Sequence, residues 1–231
     1  MEKRGASHIE VIIAFVLFMG FLLVVLYFFN PVRGSRMSDS SLPFLFEEVL
    51  KNVSVELETY SVKITDTDLG ISDITVVIRS NEVGEIEGNV RVENYYGDEV
   101  YPSEIEGGDI LFSPEEEFVF VKISEDLNPY SIEPSGEITE DYEISYVGVR
   151  EIVSEKRLEL LEQAYNQNYG KLKDSLNLRG NFDFRVVLSD EEISGERFVP
   201  AGLDIYSDYR RIEVLREDGS SEYADMVVRV W

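Results

Sequence analysis

Apolar residues recur along this chain with three different periods, and each period predicts a different kind of element. From Val11 to Phe29 no residue is charged and none is proline, a continuous run of 19 residues. Such a run satisfies its own backbone polar groups as a helix. It would be about 28 Å long at about 1.5 Å per residue, close to a hydrocarbon core of about 30 Å. The expectation is a transmembrane helix over residues 6–30. Residues 31–50 then read as a linker and a short helix, opened by Ser41-Leu42-Pro43 with the proline in the first turn and running through Lys51.

Between 51 and 149 the period falls to two. Val53, Val55 and Leu57 alternate with Ser54, Glu56 and Glu58; the apolar set then changes phase to Tyr60, Val62 and Ile64, which predicts a bulge or bend near Thr59. Further runs are Ile74/Val76/Ile78, Ile86/Val90/Val92, Val119/Val121/Ile123 and Ile144/Tyr146. Turn residues such as Gly107-Gly108-Asp109 and Pro134-Ser135-Gly136 separate them. Short strands at this spacing predict a mainly-β, sandwich-like unit.

From Glu151 to about Leu178 the period lengthens. Leu158, Leu161, Tyr165, Tyr169, Leu172 and Leu176 follow one another at steps of three and four, a single helical stripe, with Gly180-Asn181 as its end. The tail returns to period two at Phe182, Phe184, Val186 and Leu188, with Asp183 and Arg185 opposite, followed by a polar loop from Ser189 to Arg197. Asp218-Gly219, between two such runs, predicts a hairpin. Residues 150–231 therefore read as a helix plus an antiparallel sheet. The expected fold class is α+β: an N-terminal transmembrane helix, then a mainly-β unit, then a long helix packed on an antiparallel sheet.

Composition narrows the function. The chain has 231 residues, no cysteine, one histidine (His8) and a net charge of −25. Without cysteine there is no thiolate metal site, iron–sulfur cluster or cysteine nucleophile. The negative charge repels phosphate backbones, so nucleic acid is not an expected partner. With His8 the only histidine, a Ser-His-Asp triad beyond the N-terminal segment is excluded. No Gly-x-Gly-x-x-Gly or Gly-Lys-Ser/Thr loop offers a foothold for nucleotide. The expectation is no enzyme and no cofactor. Two acidic loops, Asp66–Gly70 and Ser189–Glu192, carry oxygen ligands of the type calcium takes but lack the 12-residue pattern. Asn52-Val53-Ser54 is an N-glycosylation sequon.

The residues before the apolar run differ from an ordinary secretory signal, whose small-residue cleavage site follows its apolar stretch. Here the small residues Gly5-Ala6-Ser7 precede the run, directly after the basic pair Lys3-Arg4, and a carboxylate, Glu10, stands at its mouth. This arrangement resembles the class III signal peptide of type IV pilin-like proteins, with the archaeal members closest in having a small first mature residue. The resemblance covers about residues 3–30. It implies a leader of residues 1–5 cut after Gly5, Ala6 as the new N-terminus, and Glu10 as the assembly residue that pairs with the free amine of a neighbouring subunit. A carboxylate in such a bundle needs that partner.

It further implies a membrane-anchored surface protein with its N-terminus inside and its bulk outside. Such a protein would act structurally or adhesively, as a minor pilin, with the membrane and other pilin subunits as partners. One feature departs from the family plan: about 100 residues of strand pattern separate the N-terminal helix from the helix laid on the sheet. The alternative is a plain signal-anchored extracytoplasmic module that binds sugar or protein, held N-terminus inside by Lys3-Arg4.

Overall fold

The computed structural model describes residues 4–29, 32–65, 74–84, 86–97, 100–129, 132–178 and 180–231; in the first two helices, side chains are described for 10–22 and 42–53. Helix α1 spans Arg4–Phe29 and α2 spans Val32–Val53. Strands β1 (Ser54–Ile64) and β2 (Ile74–Ile78) follow, then a single helical turn, α3 (Ser80–Val83). The next strands are β3 (Asn89–Asn94), β4 (Val100–Tyr101), β5 (Ser103–Glu106), β6 (Asp109–Phe112), β7 (Phe118–Ser124), β8 (Glu137–Thr139) and β9 (Tyr142–Ser154). Helix α4 (Glu155–Ser175) leads to β10 (Phe182–Val187), β11 (Glu192–Gly195), β12 (Tyr206–Leu215) and β13 (Ser221–Val230).

The expected fold class needs correction. The molecule is mixed α and β, but among the described residues no helix is long and apolar enough to cross a membrane. Nor do the β unit and the helix-plus-sheet unit have separate sheets. One sheet of nine strands runs through both, in the order β11-β10-β13-β12-β9-β1-β7-β3-β4, and β5-β6-β2-β8 form a separate four-stranded sheet.

Cross-strand register shows how the long sheet is covered. Val214 of β12 lies opposite Val153 of β9, and Val153 opposite Ser54 of β1. Opposed residues share a face and alternate residues return to it. Tyr60, Val62 and Ile64 therefore point the same way as Val153 and Val214. In the β10–β13 half that face packs on Leu45, Phe46 and Val49 of α2 and on Leu158, Leu161 and Tyr165 of α4. In the β1–β7–β3 half it packs on Ile74, Val76 and Ile78 of β2 and on Ile110 and Phe112 of β6.

This accounts for the phase change in β1. The strand is continuous through Thr59. Val55 and Leu57 face the other side of the sheet, where they form a small cluster with Leu127, Ile152 and Leu215. The two ends of one continuous strand bury opposite faces. The irregularity lies instead on β9: Ser61 pairs with Tyr146 and Val62 with Ile144, leaving Ser145 as the extra residue.

Three further expectations change. Helix α2 begins at Val32 and runs through Pro43, rather than opening at Ser41. Residues 151–154 belong to β9; Ser154 caps α4 by accepting from the Arg157 amide at 3.3 Å, and the helix kinks at Asn168. It closes at Leu176 with Asn177 in the left-handed region (φ 53°), not at Gly180-Asn181. The loop expected over 189–197 holds the edge strand β11. The Asp218-Gly219 hairpin is formed, with Gly219 at φ 83° supplying the turn. The last residue is docked by two bonds of 3.1 Å between the main chains of Trp231 and Asn181.

Candidate functional site

Gly5 and Ala6 lie in the first turn of α1, and Glu10 follows one turn later, exposed. From Val11 to Phe21 the apolar side chains point in every direction around the helix and are exposed: Val11 is 65% exposed, Phe15 62%, Leu17 68% and Phe21 67%. This differs from α4, whose buried residues form one stripe. Asn52 sits in the last turn of α2, exposed, its side-chain amide donating to the Glu48 carbonyl at 2.8 Å. The structure places Glu10 and Asn52 on different helices. The Asp66–Gly70 loop lies outside the described residues. In the other acidic loop Asp190 is committed to Arg216, whose hydrogen bond holds its carboxyl below the usual range. Among the described residues no group of three or more potential ligands is arranged to hold a metal ion.

Three polar arrangements were not visible in the sequence. The first joins the halves of the sheet. Arg157, in the first turn of α4, donates to Asp126 Oδ2 at 2.7 Å, to the Ser54 carbonyl at 2.6 Å and to Glu125 Oε2 at 3.0 Å. The second lies where β11 ends beside β10. Asp183, expected on a polar face, is only 1% exposed. It accepts from the Tyr165 hydroxyl at 2.7 Å, from the Arg197 amide at 3.1 Å and from Arg229 at 3.0 Å. Burial, then this bond, pushes the Tyr165 hydroxyl far up. The third surrounds Arg216, which pairs with Glu155, Asp190 and Glu222. Burial and a hydrogen bond to Glu191 push the Glu155 carboxyl up to about 7, against the pull of Arg216.

The uncovered face of the long sheet carries a groove of about 370 Å3 over β9, β1, β7 and β3. Tyr146, Thr59, Phe120 and Glu93 line it, with Lys122 and Arg150. Lys122 reaches Glu93 at 2.5 Å and donates to the Gly219 carbonyl at 3.0 Å, so the β12–β13 hairpin tip is tied down beside the groove. Arg150 grips Glu213 through two bonds, 2.6 and 2.8 Å. The only sequence signal was Gly148 amid a run of strand formers, the mark of a close approach.

No family model, no curated protein and no solved structure matches this chain.

Proposed function

We propose that the chain is a subunit of a type IV pilin-like assembly at the cell surface, with a structural or adhesive role. One observation supports this reading. Helix α1 leaves large apolar side chains exposed on all sides, and a helix that is apolar all round is a buried helix. Among the described residues, none covers it. The occupant we assign is the α1 helix of neighbouring copies, packed around it as in a filament core. Glu10 stands at the start of that surface, where the amine of Ala6 from a neighbouring copy would neutralise it. The acidic body then faces outward, its net charge keeping it soluble.

The intact mass of the protein recovered from cells that make it natively tests the reading. The expected chain begins at Ala6, five residues short of the encoded start. A chain that begins at Met1 or Glu2 overturns it. The alternative, an exported binding module that does not assemble, would then lead, and the groove on the open sheet face favours it.

A further inference from the structure

Two aromatic faces in the groove are arranged in ways that folding of the sheet does not require. Phe120 on β7 lies opposite Ser61 on β1, and Ser61 opposite Tyr146 on β9, so Phe120 and Tyr146 stand two strands apart, roughly 10 Å. By simple alternation Tyr146 would share the buried face of Ile144. The extra residue Ser145 turns it out to the open face instead, the re-aiming that bulges perform beside sites.

The chain then makes room for the ring. A Cβ on Gly148 would come within 2.5 Å of Tyr146 Oη and within 2.8 Å of two ring carbons, so the tyrosine lies across the glycine on the sheet. Across the groove, Tyr95 stacks on Phe120 with centroids 5.8 Å apart and planes at 27°. Tyr146 is 61% exposed and Tyr95 62%, so both rings are largely open to solvent.

Between the rings the charges are balanced. Lys122 is paired with Glu93, and Arg150 with Glu213. On a chain of net charge −25, this groove presents hydrogen-bonding groups with no excess of either sign. Its volume is that of a small-ligand site and too small for a folded partner.

We propose that this groove binds a neutral hexopyranose oligosaccharide. Sugar rings have an apolar C–H face that matches the negative face of an aromatic ring. Their hydroxyls both donate and accept, as paired carboxylate and ammonium or guanidinium groups require. Two linked rings match the separation of Tyr146 and Phe120, the ring on which Tyr95 stacks. Among the described residues lining the groove, the cations Lys122 and Arg150 are both paired, so an anionic ligand is not favoured. The proposal stands on the groove alone and does not depend on how α1 is processed or packed.

Electrophoresis of the full-length protein through native gels holding soluble glucan, mannan or galactan tests it. At least one polysaccharide is expected to retard the wild type. Tyr146→Ala and Tyr95→Ala should each weaken retention at least tenfold. Gly148→Ala should weaken it too, by lifting the Tyr146 ring. Tyr223→Ala, an exposed tyrosine on β13 outside the groove, should retain the wild-type shift, and circular dichroism should be unchanged in all four. Unretarded migration of the wild type in all three gels overturns the proposal. So does retention that survives in the Tyr95/Tyr146 double variant, or an equal loss in Tyr223→Ala. Self-association that Tyr146→Ala abolishes, without retention on any polysaccharide, overturns it in favour of a second copy of the chain.

Discussion

The two halves of the nine-stranded sheet solve the same problem with different material. Both bury the same face. The β10–β13 half covers it with two helices, and the β1–β7–β3 half covers it with a second sheet. The helices bring residues at steps of three and four: Leu42, Leu45, Phe46 and Val49 from α2, and Leu158, Leu161, Tyr165 and Leu172 from α4. The second sheet brings short strands, of which β2 is buried at all five positions. The lesson is that the covering layer, not the sheet, sets the division of the molecule. The sheet itself passes through the division along β1 and β9.

The sharpest way to break this comparison is to open a cavity in each half. Phe182 and Phe112 are both fully buried, one under the helices and one between the sheets. Phe→Ala in such sites costs about 3–5 kcal/mol. If the shared sheet couples the halves, Phe182→Ala and Phe112→Ala will each lower one common transition in denaturant, followed by circular dichroism. A second transition left at the wild-type midpoint in either variant would show that the halves unfold separately.

A smaller effect is expected at the joint. Arg157→Ala removes three donors at once and leaves Asp126, which is buried, without its guanidinium. The expected loss is about 2–4 kcal/mol, read as a shift in urea midpoint. Because the same side chain ties α4 to the β1 start and to the turn after β7, the variant should also broaden the transition. An unchanged slope and midpoint would mean that the β1–β9 ladder alone carries the coupling.

Much of the fold was legible because burial on one face leaves a periodic trace. The α4 stripe, the β10 alternation and the Asp218-Gly219 hairpin each depend on local pattern and turn chemistry. What escaped notice depends on partners far away in sequence. The phase change in β1 is a strand with two buried ends, and nothing local distinguishes that from a bend. The bulge at Ser145 exists only relative to β1, some eighty residues earlier. Asp183 reads as a surface residue by alternation, and becomes buried because Tyr165, Arg197 and Arg229 converge on it. The groove combines all three difficulties, since its rings come from β9, from β7 and from the turn after β3. The continuity of the sheet was hidden for a similar reason. The contact joining its halves is a parallel pairing of only two residue pairs, Val214 with Val153 and Leu215 with Ser154.

That short parallel contact also carries the smallest expected effect, a pH dependence. Glu155 follows Ser154 directly at the start of α4, and its carboxyl is raised to about 7 by burial and by its hydrogen bond to Glu191, with Arg216 opposing. Asp190 and Glu222 face the same guanidinium. A carboxyl whose folded value lies above its ordinary 4.5 holds a proton in the folded state that the unfolded state has released. Its contribution to stability is therefore complete below about pH 4.5 and is lost as the pH rises through about 7. Neighbouring carboxylates held low by Arg216 act in the opposite sense, so the absolute curve of the wild type does not isolate the group. The difference between wild type and Glu155→Gln does, because glutamine stays neutral and keeps a donor for Glu191. Thermal melts should give matching midpoints for the two proteins near pH 4.5, and a higher midpoint for Glu155→Gln above about pH 7. Parallel curves across the whole range would mean that the Glu155 carboxyl titrates alike in the folded and unfolded chain. The end of the parallel contact would then be held by its ion pair with Arg216 rather than by a shared proton.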